Sequence, residues 1–478
     1  MRIVTGGSED SKCIFNAGPP FKRVSDGVAE SCHTRGSVHC VRYNKQGTMI
    51  ASVGTDKMAC FYDGKTMELI HKMENVHNAS IYSCAWNESG DSLLTCSADG
   101  TVKLISTKDF SVIQSWDISI DNQCSKVAQG AMQMGCAFVK GDIPVSVSLN
   151  GNITILSMTN TNDIKRKQIT GHQSPISSMS LDYQSGVMYT GDSDGVICMW
   201  DISTGESITN VQRSDNADEG FDQNLMNKVH QGAITGLLFG KRSLLSIGWD
   251  DKIRFTDSAI TKNSINLESQ PNQIRKGTDL VVVMTVNGLI LVRDDSIVSD
   301  LIKVPYEPTS ICVSTDDRFV YVGGKDNSIH IYSVNGDTID EVKILAGTHL
   351  RPVYALSLSN NGTMLASADV RDICVWNIAE DYSPIIGKGR WCFHSQKINA
   401  LTWSNDDTVL ASGGNDDSIF FWSLKKPIKR IQYPFAHRGG VTCLEFLKNG
   451  DGMVLASIGN DGCVNQWDVT DDVMKKFG

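Results

Sequence analysis

The 478-residue chain has no run of about 18 apolar residues, so it holds no segment long enough to cross a bilayer as a helix. Its start, MRIVTGGSEDSK, lacks the apolar core of a secretory signal. Positive charge is in deficit: 44 Lys and Arg face 54 Asp and Glu, a net charge of -10. That argues against a nucleic-acid or anionic-membrane surface, because both need clustered cations. None of the fourteen cysteines forms a C-x-x-C pair. Cys40, Cys84, Cys312 and Cys443 instead recur at one place in a repeating pattern, as small buried hydrophobes do, which excludes a disulfide framework or zinc site and sets the expectation of a reducing, cytosolic compartment. No H-x-x-x-H pair accompanies any histidine, and the Gly-Gly pairs lie between strands rather than ahead of a helix, so neither a metal site nor a phosphate cradle is indicated. Apolar content of 41% against 21% charged residues fits a folded chain, not a disordered one.

What is present is a repeat. Residues 437–469, HRGGVTCLEFLKNGDGMVLASIGNDGCVNQWDV, hold a loop histidine, two apolar strands joined by a turn, a second turn with Asp461, and a third strand ending in Trp467-Asp468. The same third-strand position recurs at Phe15, Tyr62, Ile105, Leu156, Trp200, Phe255, Val292, Tyr332, Trp376, Trp422 and Trp467, at intervals of 37 to 55 residues. Segments such as SIHIYSV, VICMWDI and TVKLIST alternate with period two, and KQG, ESGD and NNG separate them as hairpin turns. These features predict an all-β chain of small antiparallel sheets that have no core of their own and must stack on one another.

The unit resembles a WD repeat. Seven of the ten histidines precede a unit, at His33, His77, His172, His230, His349, His394 and His437. Three units carry a full tetrad: His172/Thr190/Asp194/Trp200, His394/Ser412/Asp416/Trp422 and His437/Ser457/Asp461/Trp467. In this pattern the aspartate accepts from histidine and the hydroxyl links histidine to the indole N–H, a buried network that stabilises only when complete. A Ser, His and Asp could also form a hydrolase triad. Recurrence in unit after unit, each time with a Trp, favours the structural role. Other units are eroded, with Asn150 in place of the aspartate and Leu156 in place of the tryptophan. The Asp- and Asn-rich insert 213–229 reads as a solvated connector, giving an expected partial N-terminal propeller at 1–212 and a second propeller at 230–478.

RIVTGG followed by GPPFK (18–22), then HCVRYNKQGTMIASVGTD, IYSCAWNESGDSLLTCSADGTVKL and LNGNITIL, resembles the actin-interacting protein 1 family over essentially the whole chain. The resemblance implies two tandem seven-bladed propellers that act with ADF/cofilin on actin filaments. It implies no cofactor, no metal, no catalytic residue and no small-molecule substrate, membrane or nucleic-acid partner. On that mapping, Phe15 to Trp200 form about five blades of the first ring and Phe255 to Trp467 about six of the second. The family's opening blades and ring-closing segment would lie ahead of Met1, leaving the first ring an open arc with Ile3, Val4 and Ile14 facing solvent and the expressed chain poorly soluble. Phe21, Lys22 and Arg23 fall on the family's contact face, with Arg23 where an aromatic is usual. Ser37 replaces a second aromatic, and Ser8, followed by Glu9, an acidic residue. The WD fold alone equally permits a scaffold or adaptor role.

Overall fold

The computed structural model describes residues 2–8, 11–23, 32–118, 131–139, 142–149, 151–156, 167–169, 171–213, 228–241, 243–257, 259–347, 349–448 and 452–478. Among these residues the chain forms eleven sheets of three to five strands in sequence order, antiparallel except where Gln212–Arg213 pairs in parallel with Ile260–Asn266. They are numbered here as blades: 1 (2–23), 2 (38–73), 3 (81–117), 4 (133–169), 5 (176–210), 6 (234–266), 7 (271–303), 8 (308–345), 9 (355–391), 10 (398–433) and 11 (441–468). The chain divides into two compact units, Met1–Gly171 and His172–Gly478.

Stacking sets the burial of each strand. In a blade flanked by two others the second strand is covered on both faces, so Val409–Gly414 is buried throughout and Val454–Gly459 and Ser92–Ser97 nearly so. Alanine, serine and glycine on these strands let the sheets approach. Outer strands return to alternation, as in Thr338–Leu345, where most side chains are exposed.

The second unit contains seven blades, not six. Blade 5, expected to end the first propeller, packs against blade 11 through Ile176, Met179, Leu181, Leu447, Ala456 and Ile458. Three polar contacts seal the seam: Thr442 Oγ1 donates to Ile176 O at 2.6 Å, Tyr183 OH to Phe446 O at 3.0 Å, and Gln466 Nε2 to Ile202 O at 3.4 Å. Burying Ile176, Ile458 and Leu447 there contributes about 2 kcal/mol each. The boundary therefore lies near residue 171, not at 213–229. Gln212–Arg213 pairs with Ile260–Asn266 of blade 6, so the acidic insert links two neighbouring blades of one ring. Its residues 214–227 lie outside the described set. Among the described residues blade 11 has three strands, and face packing against blade 5 closes the ring; the helix Thr470–Phe477 folds back and buries Val473 and Phe477 against blade 10.

The first unit contains four blades, one fewer than expected, because blade 5 belongs to the second ring. Blades 1 and 2 share a core of Cys13, Phe15, Val38, Ile50, Cys60 and Tyr62. Ile3, Val4 and Ile14 are half-buried rather than open to solvent.

Candidate functional site

The contact residues indicated by sequence fall into two places. Cys13–Ala17 runs between them, a strand of five residues and so roughly 16 Å long. At its far end Phe21 is 45% exposed, and Lys22–Arg23 pairs with Ala17 and Asn16 as the outer strand of blade 1, both side chains outward. At its near end lies the turn bearing Ser8. Ser8 is exposed, and Ser37 Oγ donates to its carbonyl at 2.5 Å, while Ser11 Oγ donates to Gly36 O at 2.5 Å. These bonds tie the blade 1 turn to the loop entering blade 2. The structure thus brings Ser8 and Ser37 together and sets Phe21, Lys22 and Arg23 apart from them. Glu9 lies outside the described residues.

The tetrads are buried networks with a readable proton order. In blade 10, His394 Nδ1 lies 3.0 Å from Asp416 Oδ1 and its Nε2 lies 2.8 Å from Ser412 Oγ, which accepts from Trp422 Nε1 at 2.8 Å. The carboxylate is acceptor-only, so the Nδ1 that meets it carries a proton, and in that tautomer of the neutral ring Nε2 accepts from the serine hydroxyl. Blade 11 repeats this with His437, Asp461 (2.9 Å), Ser457 (2.7 Å) and Trp467 (2.8 Å). Burial raises the Asp416 pKa, but hydrogen bonding and charge from His394 and the Ser395 N–H outweigh it, and the carboxyl titrates below its ordinary range. Ser412, Ser457, His394 and His437 are all buried, so these triads sit inside the sheets as packing networks.

The third tetrad differs from its expected membership. His172 Nδ1 meets Asp192 Oδ2 at 2.8 Å, with Thr190 Oγ1 2.7 Å from Nε2 and accepting from Trp200 Nε1 at 2.6 Å. Asp194 instead accepts from Ser174 Oγ at 2.5 Å, on the exposed side of the turn. Strand alternation explains the substitution. The residue two after the hydroxyl faces the imidazole; in blades 10 and 11 it is Gly414 or Gly459, where an added Cβ would come within 2.9 Å or 2.5 Å of the ring. That close approach lets an aspartate four after the hydroxyl reach Nδ1. Where position two is itself aspartate, its carboxylate arrives first. Blade 9 obeys the same rule: His349 uses Asp369, two after Ser367, and Trp376 Nε1 donates to Ser367 Oγ at 2.9 Å, a complete fourth tetrad that fixed spacing misses. Residues 191–195, GDSDG, match the G-x-S-x-G pattern of a hydrolase elbow, but they join two strands rather than a strand and a helix.

The remaining units keep parts of the network. His33 bonds Asp56 (2.9 Å) and Ser52 (2.8 Å), and the Ser52 hydroxyl meets Tyr62 OH at 3.1 Å in place of an indole. His230 bonds Asp250 (2.7 Å) and Ser246 (2.8 Å), with buried Arg254 donating to the second Asp250 oxygen. Blade 8 has no loop histidine. Tyr306 takes that place, stacked at 3.7 Å on His330, which spans Asp326 (2.9 Å) and Glu341 (2.5 Å). In eroded blade 4, Ser146 Oγ, Thr154 Oγ1 and Gln133 Oε1 are buried and have no hydrogen-bond partner among the described residues. No group of three or more His, Cys, Asp or Glu suited to hold a metal occurs among the described residues.

A family model for the WD domain, G-beta repeat, matches residues 28–63, 68–106, 164–201, 305–333, 389–423 and 426–468. WD repeat-containing protein 1 of Xenopus tropicalis is 31% identical over 98% of this chain and 73% of its own length. The 66 kDa stress protein of Physarum polycephalum matches with the same three values. Actin-interacting protein 1 of Drosophila melanogaster is 29% identical over 98% of this chain and 72% of its own.

Proposed function

The chain belongs to the actin-interacting protein 1 (WD repeat-containing protein 1) family, and on that footing we propose that it binds actin filaments and acts with ADF/cofilin to take them apart. The observation that carries this reading is the alignment of 98% of the chain with relatives named for actin interaction. The protein works by binding, not catalysis, in the cytoplasm at the actin cytoskeleton. Phe21, exposed beside Lys22 and Arg23 on an outer strand, supplies an apolar anchor flanked by cations. Exposed aromatics and arginines of this kind contribute about 2 kcal/mol or more when they become interface hot spots. Ser8 and Ser37 form a second, separate patch with hydrogen-bonding capacity but no large side chain.

Co-sedimentation with filaments tests the reading. Pelleting is expected to be strong with cofilin-decorated filaments and weak with bare actin. Reversing charge with Lys22→Glu and Arg23→Glu together should weaken the cofilin-dependent pelleting and leave the circular dichroism unchanged. Equal pelleting with and without cofilin would remove the cofilin part of the proposal, and no pelleting in either case would remove actin binding altogether.

A further inference from the structure

The first strands of blades 2 and 3 bring two thiols together. Cys40 lies on Val38–Tyr43 and Cys84 on Ile81–Trp86, and Trp86 Nε1 donates to Arg42 O at 3.0 Å, holding the two strands in register. The Sγ atoms are 3.8 Å apart, and Cys40 Sγ also faces the Cys84 carbonyl oxygen at 3.9 Å. A disulfide needs about 2.05 Å, so each sulfur has to move roughly 0.9 Å.

The two sulfurs are chemically unequal. Cys40 is partly exposed, whereas Cys84 is only 2% exposed. The S–H of Cys84 hydrogen-bonds to Cys40 and, with Arg42 two residues along the strand, holds the Cys40 thiol down to about 5 against the opposing effect of burial. The same hydrogen bond and full burial push Cys84 far up. Cys312 and Cys443 sit on the corresponding first strands of blades 8 and 11, and burial pushes both up to about 11. A cavity lined by Arg42, Lys45, Trp86, Cys84 and Cys136 lies on the Cys84 side of the pair. One accessible, ionisable sulfur beside one buried, protonated sulfur is the division of labour of a reactive and a resolving cysteine.

We propose that Cys40 and Cys84 form a peroxide-reactive dithiol that closes into a disulfide bridging blades 2 and 3. The Cys40 thiolate attacks one oxygen of hydrogen peroxide. The O–O bond breaks, hydroxide leaves and is protonated to water, and Cys40 becomes a sulfenic acid. The Cys84 sulfur then attacks the Cys40 sulfur, the S–O bond breaks, and the departing hydroxide combines with the Cys84 proton as a second water. Two thiols lose two electrons and one peroxide is reduced to two waters. A thiol reductant reverses the step by exchange. The bridge joins residues 44 apart in sequence.

The test uses the full chain exposed to hydrogen peroxide at neutral pH, followed by alkylation of remaining thiols, digestion without reductant and mass spectrometry. The expected product is a Cys40–Cys84 linked peptide, lighter by two hydrogens than its two halves and lost on reduction. In Cys84→Ser, dimedone should trap a sulfenic acid on Cys40; in Cys40→Ser, Cys84 should be recovered as a free thiol. The unsubstituted chain decides the matter even where a variant fails to fold. Recovery of both cysteines as alkylated thiols from oxidised protein, a bridge from either one to Cys136, or dimedone on Cys84 in Cys40→Ser would each overturn the proposal.

Discussion

Replacing Asp192 and Asp194 separately by alanine distinguishes the structural tetrad from the one that repeat spacing suggests. Asp192 accepts three hydrogen bonds: from His172 Nδ1 at 2.8 Å, and from the backbone N–H groups of Asp194 and Val196, both at 2.9 Å. Asp192 is 2% exposed and the His172 side chain is fully buried, so water cannot replace the lost acceptor. Each buried donor left without a partner costs about 1–3 kcal/mol, and because the three share one carboxylate the losses overlap, giving roughly 3 kcal/mol for Asp192→Ala. Asp194 accepts only from Ser174 at an exposed turn, and Asp194→Ala should cost under about 1 kcal/mol. Seven of the nine tryptophans lie in the second unit, so urea unfolding followed by tryptophan fluorescence reports mainly on the ring that contains the mutation. An Asp194→Ala loss equal to or larger than that of Asp192→Ala would refute the assignment.

Trp422→Ala should cost about 3–5 kcal/mol, because the indole is 1% exposed and loses both its packing and its bond to Ser412; an unchanged melting temperature would exclude it from the core. Ile458→Ala at the seam between blades 5 and 11 should cost about 2–5 kcal/mol and speed amide exchange in Ile176–Asp182, and exchange left untouched there would speak against a ring closed by blade 5. Acid should act in two steps. Burial holds the His230 pKa down, so its neutral form contributes stability above about 6.5 that is lost as pH falls further. Burial works against ionisation of Asp56, Asp369, Asp416 and Asp461, but hydrogen bonds and charge from their histidines together with backbone N–H donors outweigh it and depress all four. Their contribution is present above about 3.9 and lost as pH falls through their folded values. A thermal midpoint that does not change as the pH is lowered from neutral through the carboxylate range would contradict both steps.

The all-β class, the blade spacing and two of the three named tetrads were legible in the amino-acid order, because they depend on local features. Strand alternation, turn residues and a histidine some twenty residues ahead of its aspartate need only a window of about forty residues to be seen. The third tetrad was misassigned by two positions, and the fourth was overlooked. Position alone does not say whether the residue after next to a hydroxyl is a glycine that admits the imidazole or a carboxylate that meets it, although a rule stated in those terms would have found both Asp192 and Asp369. The total of eleven units was legible too, but their division between the two rings went astray. A long acidic insert looks like a domain boundary in composition, yet loops add little free energy with length and tolerate such insertions between any two blades.

The sequence by itself determined that each stretch of about forty residues makes a small sheet with apolar faces, since that follows from hydrophobic alternation and turn chemistry within the stretch. Only the tertiary structure decided which sheet meets which. The faces of blades 5 and 11 match through Ile176, Leu447 and Ile458, residues separated by most of a ring in sequence, and no local pattern records that pairing. The same holds for Cys40 and Cys84, which repeat spacing places on equivalent strands but only the packing of neighbouring blades brings to 3.8 Å.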